Sequence, residues 1–403
     1  MVHVIFRGEL FHPKMKEGLL TLDLSRRNIS SISELKNLEH AIQIECIDLH
    51  GNQITDINGL EKLENIRSLN LYDNQIQEIK GLNCLRKLEH LNLMWNQLRE
   101  IKGLENLSNL QTLELQNNKI SEIQNLQKLC SLKHLKLQNN LITEIQGLTT
   151  LHNLETLDLE NNQISEIKGL DSLDNLRKLN LKRNQITLIQ NLNACQKLEL
   201  LNLQYNQISD IQGLEPLKAL RELYLNNNQI RVIPNLSFLK ELRILNLASN
   251  FIERMDGVSG LAKLKKLDLS SNRIRYITGV EKLTLLEQLD LRDNRIEVIS
   301  GLENLQSLKI LDLCENRIKE IRGLENLRAL ESLDIQFNKI TKIKGLGGLR
   351  QLKNLNLFGN PIFEEARDRF GGVFRTTSAF KFPQKLVEYC EKVVGNHKLE
   401  KGN

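Results

Sequence analysis

The sequence predicts an α/β solenoid of about sixteen repeats. The expected form is a horseshoe with a parallel sheet on its concave face, short 3₁₀ or extended segments on its convex face and a helical cap at the C-terminal end. Three observations predict it. First, asparagines fall at a constant 22-residue interval from Asn52 through Asn74, Asn96 and Asn118 to Asn206, Asn228 and finally Asn360, each closing a stretch of the form L-x-x-L-x-L-x-x-N. Second, the L-x-L segment alternates with the period of a strand, leucines inward and the residues between them outward. Third, the position seven residues after each asparagine holds glycine or asparagine and nothing else from Gly59 to Gly345.

Each element follows in chain order. Residues 1–18 lie before the repeat and are read as an N-terminal cap of strand or loop. The solenoid occupies 19–362, opening with a degenerate coil, LLTLDLSRRNISSI, in which Arg27 stands in the asparagine slot. A strand of one L-x-L per coil, stacked about 4.8 Å from the next, gives a parallel sheet. The sharp turn after each strand leaves backbone groups that no ladder satisfies. An asparagine amide, with donors and an acceptor, can serve the turns of stacked coils. The glycine slot is explained by comparing ITLIQNL with ISDIQGL, where Asn191 and Gly213 share one position. Both residue types tolerate positive φ, so a left-handed residue is expected at the corner of every repeat. The segment G-L-E-x-L leaves little room for a full convex helix. After Asn360 the pattern breaks. Residues 363–395 are read as a C-terminal cap whose helix starts at Pro383 and turns Leu386, Val387, Cys390, Val393 and Val394 inward. Phe337 and Phe358 are expected to pack beneath that cap, and residues 396–403 to form a flexible tail.

Units such as LETLDLENNQISEIKGLDSL resemble leucine-rich repeats, in the 22-residue subclass typified by the leucine-rich regulatory subunit of protein phosphatase 1. The resemblance covers about residues 19–362. It implies a non-catalytic scaffold or regulatory subunit that holds a folded protein in its concave face, with a phosphatase as the implied partner. The bacterial internalins share the 22-residue period and imply the alternative, a cell-surface adhesion or receptor protein.

Composition narrows the rest. Basic and acidic residues nearly balance, 55 against 50, which speaks for a soluble chain without a nucleic-acid partner. No run approaches the roughly 18 apolar residues of a membrane span, so no membrane association is expected. Cysteines at 46, 84, 130, 195, 314 and 390 are too dispersed for a zinc or disulfide framework and read as free thiols of a reducing, cytoplasmic setting. His50, His90 and His134 sit in alternate repeats, about 10 Å apart or more, too far to share a metal. No cofactor and no catalysis are expected, because every repeated position already has a structural task. The chain is read as a monomer on its own, awaiting a protein partner.

That partner should meet the outward strand positions. Two groups of scarce aromatics stand there: Tyr72, Met94 and Trp95 in neighbouring coils, and Tyr205 with Tyr224 further along, near Leu200 and Ile244. The slot between the strand leucines is mostly Asp or Asn, and Asp268, Asp290, Asp312 and Asp334 follow one another in four consecutive coils. Stacked carboxylates repel, so this stripe invites a basic surface. Lys266 and Arg292 stand close enough to neutralise it locally.

Overall fold

The computed structural model describes residues 3–370 and 379–400, with side chains as far as residue 392. They form two compact units, Met1–Asn202 and Leu203–Asn403.

The first unit begins with two hairpins. β1 (Val4–Phe6) pairs antiparallel with β2 (Glu9–Phe11) across Arg7 and Gly8, both at positive φ, the geometry that matches the twist of a two-residue hairpin. Phe6 and Phe11 are buried beneath it. β3 (Lys14–Lys16) then pairs antiparallel with β4 (Leu19–Asp23). From β4 onward every neighbour is parallel and in register, one three-residue strand per coil, as in Leu157 against Leu135 and Leu179. The second unit repeats the arrangement from strand Glu222–Tyr224 to strand Asn354–Asn356. Each unit is thus a parallel-strand solenoid, about fifteen regular turns in all. The inward leucines and isoleucines are fully buried, Leu157, Leu159, Ile164 and Ile167 among them.

The asparagine ladder has the chemistry its slot requires. Asn162 donates from Nδ2 to the carbonyls of Leu137 at 3.0 Å and Leu159 at 3.1 Å, and its Oδ1 accepts from the Ile142 N–H at 3.0 Å. One amide therefore closes its own turn and ties it to the preceding coil. The same set recurs at Asn74, Asn96 and Asn118, and in the second unit from Asn228 to Asn360. On the far side of most coils two successive turns are closed by apolar pairs three residues apart, chiefly leucines, as Leu107 N–H to Leu104 O and Leu110 N–H to Leu107 O, both 3.0 Å. Short 3₁₀ helices form at Ile32–Glu34, Leu38–His40 and Asp256–Val258.

The corner is left-handed at Asn125, Asn191, Gly213 and most other members of the slot, but not at all of them. Asn235 and Gly257 depart from the expectation. The Asn235 side chain instead caps the Ser237 N–H, and Gly257 lies inside the 3₁₀ turn. Gly257 is needed there for another reason: a Cβ would sit 2.3 Å from the Ile233 and Pro234 carbonyl oxygens. A second left-handed position went unforeseen. The residue before every ladder asparagine, from Gly51 through Trp95 and Tyr205 to Gly359, has positive φ. The residue types filling it, Trp and Arg beside Asn and Gly, share no chemistry that marks it in sequence.

At the C-terminal end, α1 (Phe363–Phe370) continues from the last coil, a helix the broken repeat pattern had not disclosed. α2 (Pro383–Glu400) starts at the expected proline and runs five residues past the expected cap boundary. Leu386, Val387 and Cys390 are buried, and Gln384 Nε2 donates to the carbonyls of Leu349 and Leu352. The side chains of Val393 and Val394, and residues 401–403 of the expected tail, lie outside the described residues. The cap covers Phe337 and Phe358 only in part. They form an edge-to-face series with Phe363, centroids 5.4 Å apart at each step, and remain 49% and 39% exposed.

Candidate functional site: the sheet face

The strands of each unit carry their intervening side chains on one open face. In the second unit that face has a groove of about 370 Å³ lined by Tyr224, Ile244, Lys266, Gln288 and Ile310, with Asp268, Asp290 and Asp312 along it. Strand register sets Asp268 beside Asp290, Asp290 beside Asp312, and Asp312 beside Asp334. Each carboxylate is partly committed to the chain. One oxygen accepts the N–H two residues on: Ser270 to Asp268 at 3.0 Å, Arg292 to Asp290 at 3.0 Å, Cys314 to Asp312 at 2.9 Å and Gln336 to Asp334 at 3.0 Å. Asn92 and Asn180 make the same bond to Met94 and Lys182, so this slot favours Asp or Asn on structural grounds alone. The second oxygens differ. Asn246 Nδ2 donates to that of Asp268 at 3.0 Å and Gln336 Nε2 to that of Asp334 at 2.7 Å, whereas the second oxygens of Asp290 and Asp312 have no hydrogen bond among the described residues.

Electrostatics follow from that placement. Burial, then the neighbouring carboxylates of Asp290 and Asp334, push Asp312 up to about 6. Asp290 is raised for the same reasons, burial first and Asp268 among its neighbours. Local neutralisation is weaker than expected, because the Arg292 guanidinium turns to Glu315 at 2.7 Å. Tyr224 donates its hydroxyl to Glu222 at 2.8 Å, and burial with that acceptor pushes its phenol up to about 12. Ile310, 42% exposed, gives the groove an apolar edge that sequence reading had passed over. Its signal was an isoleucine in a strand slot that is mostly polar, shared only with Leu200 and Ile244 as large aliphatics.

The aromatic positions divide between the units. In the first, Tyr72 lies 6.2 Å from the His50 ring, and His50 Nδ1 sits 2.8 Å from Asp48. The Asp73 N–H, next to Tyr72, donates to the Met94 carbonyl, which places Tyr72 and Met94 in neighbouring coils; Trp95, at φ 54°, stands 54% exposed. Leu200 also belongs to this unit. In the second, Tyr205 and Tyr224 lie in adjacent coils, and of these two only Tyr224 lines the groove.

Metal-ligand types gather once among the described residues: the donor atoms of Asp312, Cys314 and Asp334 lie within 4.8 Å of one another. Burial pushes the Cys314 thiol up to about 12, so it is protonated at neutral pH and is not a ready ligand. All six cysteines are free thiols. No helix among the described residues is long and apolar enough to cross a membrane.

In-register strands, a buried asparagine ladder and an open, variable sheet face define a repeat scaffold whose chemistry is carried on its surface. The chain is a leucine-rich repeat protein. The family model described as leucine rich repeat matches residues 218–274, 240–296, 284–340 and 306–362. The model for leucine rich repeats in two copies matches 42–84, 130–172 and 174–216, and a third leucine rich repeat model matches 84–99. Comparison with curated proteins finds no match. Among solved structures, a leucine-rich repeat protein of Leptospira interrogans is 27% identical with a TM-score of 0.81, covering 86% of this chain and 93% of that one. The internalin InlF of Listeria monocytogenes is 28% identical with a TM-score of 0.62, covering 79% and 87%. The functional domain of InlJ from the same species, at 23% identity and a TM-score of 0.70, covers 83% and 72% and shares the fold.

Proposed function

We propose that the chain is a non-catalytic scaffold that holds a protein partner on the sheet face of its second unit, with basic side chains of the partner entering the aspartate column. The observation that carries this reading is the pair Asp290 and Asp312. Two adjacent, half-buried carboxylates each keep an oxygen unpaired within a groove edged by Tyr224 and Ile310. Like charges held together destabilise the free protein, and a guanidinium or ammonium placed between them relieves the repulsion. Tyr224 and Ile310 supply the apolar anchors that such a contact needs. The partner has no assigned identity. The resemblance to the phosphatase 1 regulatory subunit supports a phosphatase, met in the cytoplasm by a monomeric scaffold without cofactor. Trp95, with Tyr72 and Met94, offers a separate contact in the first unit.

Crosslinking and pull-down test the surface, comparing wild type with Tyr224→Ala, Trp95→Ala and the double variant Asp290→Lys/Asp312→Lys. Specific captured proteins should be lost on charge reversal and weakened by either aromatic truncation. An unchanged set of captured proteins across all three variants overturns the choice of surface. The similarity to an internalin at 28% identity favours a second reading, a surface adhesion protein. Protease treatment of intact cells separates the two, since only a surface protein is cut.

A further inference from the structure

The coils that carry the aspartate column also carry a row of cations on a different surface. The residue after each ladder asparagine is glutamine at positions 53, 75, 97 and 163, and becomes Arg273, Arg295, Arg317 and Lys339 in four consecutive coils of the second unit. The backbone does not require the change. Gln75 donates its N–H to the preceding coil at 2.9 Å, and Arg273, Arg295, Arg317 and Lys339 do the same at 2.8 Å, to Ile252, Ile274, Ile296 and Ile318. The four therefore stand in register, about 4.8 Å apart, a row of about 14 Å. None of them forms an ion pair among the described residues. Phe251 occupies the same slot one coil earlier, with the Arg273 guanidinium 4.6 Å from its ring centroid and that of Arg231 at 5.9 Å. Four like charges in a line destabilise the free surface, and no ion pair among the described residues offsets them.

We infer that this row is a second docking surface, distinct from the sheet face, whose occupant is an acidic protein segment in extended conformation. An extended chain rises about 3.4 Å per residue, so roughly five residues of an Asp- or Glu-rich run cover the row. Three of the four cations are arginines, whose planar forks pair with carboxylates two bonds at a time. Two observations set a nucleic acid aside. Binding to phosphates gains from many contacts along a broad basic track, but here the neighbouring column is mixed, with Arg275, Glu297 and Lys319 in consecutive coils, and Glu297 already draws Lys319 to 3.7 Å. Base stacking needs an open ring face, and Phe251 is flanked by two guanidinium groups.

Fluorescence anisotropy with a labelled octaglutamate peptide tests the assignment on the full chain at low salt. Wild type should bind it, with affinity falling as salt rises. The triple variant Arg273→Gln/Arg295→Gln/Arg317→Gln should lose at least tenfold. A charge-matched control, Lys62→Gln/Lys128→Gln/Lys240→Gln, should stay within twofold of wild type. Asp290→Asn should also bind as wild type does, which separates this surface from the one proposed above. Absence of binding by wild type, or an equal loss in the control, overturns the site. An oligothymidylate of eight nucleotides that binds more tightly than the peptide overturns the occupant.

Discussion

Replacing two corner glycines of adjacent coils by asparagine should have unequal effects, although sequence comparison makes the two residue types interchangeable. Gly323 and Gly345 have nearly the same φ, +73° and +71°. At Gly323 a Cβ would meet the Ile299 carbonyl oxygen at 3.4 Å, an ordinary contact. At Gly345 it would lie 2.3 Å from the Ile321 oxygen, about 0.7 Å inside the 3.0 Å that real Cβ atoms respect. Asparagine tolerates the left-handed region with little strain. Its amide also has a use there, because Asn125 and Asn191 donate to the carbonyls of Ile101 and Ile167 at 2.7 and 2.8 Å. Gly323→Asn can make the same bond to Ile299, so its net cost should stay within about 1 kcal/mol. Gly345→Asn must also push apart a pair of packed coils, adding about 1–3 kcal/mol of overpacking. Gly323→Val tests the angle alone, since a branched side chain at positive φ costs about 1–3 kcal/mol. Amide hydrogen exchange on peptides spanning 318–357 reads these differences as losses of protection, factors of ten per 1.4 kcal/mol. Equal losses for the two asparagine variants refute the close-approach argument. A Gly323→Val variant as protected as Gly323→Asn refutes the argument from φ.

Asn162→Ala should cost about 2–4 kcal/mol, because it orphans the Ile142 N–H and the carbonyls of Leu137 and Leu159 together; a urea midpoint unchanged from wild type would contradict the ladder. Asp312→Asn should stabilise the protein at pH 7. The folded carboxyl titrates near 6 against an ordinary 3.8, so its ionised form is disfavoured in the fold, and stability is lost as pH rises from about 4 to 6 and stays lost above. The shift sets a ceiling near 3 kcal/mol, which solvent screening of a part-exposed group reduces to about 1–2. The gain should vanish near pH 4, and a gain that persists there would exclude titration as its cause.

The repeat, the strand register, the ladder and the start of α2 at Pro383 were legible because each follows from a residue type with one physical use at a fixed spacing. The left-handed slot before the ladder asparagine was not, because its occupants range from Gly51 to Trp95. There the backbone bond network imposes the angle, and the side chain only accepts it. The glycine slot was half legible. Positive φ explains why Asn191 and Gly213 alternate, while the close approach at Gly345 and Gly257 depends on coil spacing, which no single repeat encodes. The candidate site was legible as a column, since Asp268 to Asp334 share one slot, but its local chemistry was not. Sequence could not show that Arg292 turns away to Glu315, nor that Asp268 and Asp334 find partners while Asp290 and Asp312 keep an oxygen open.

Those differences follow from how the coil divides its positions. Leucines, ladder asparagines and corner residues bond only to their own coil and its neighbours, so they hold the same geometry whatever the outward slots carry. Gln75 and Arg295 make the same backbone bond, as do Asn180 and Asp290, at no evident cost to the strands beside them. A run of identical charges in one outward slot is therefore not a by-product of folding. The fold is satisfied by Gln or Asn there, and repulsion disfavours the run. The second unit carries two such runs, Asp268 to Asp334 on the sheet and Arg273 to Lys339 beside it, over the same four coils. Each run carries a like-charge repulsion in the free chain, which a group of opposite charge brought from outside would relieve.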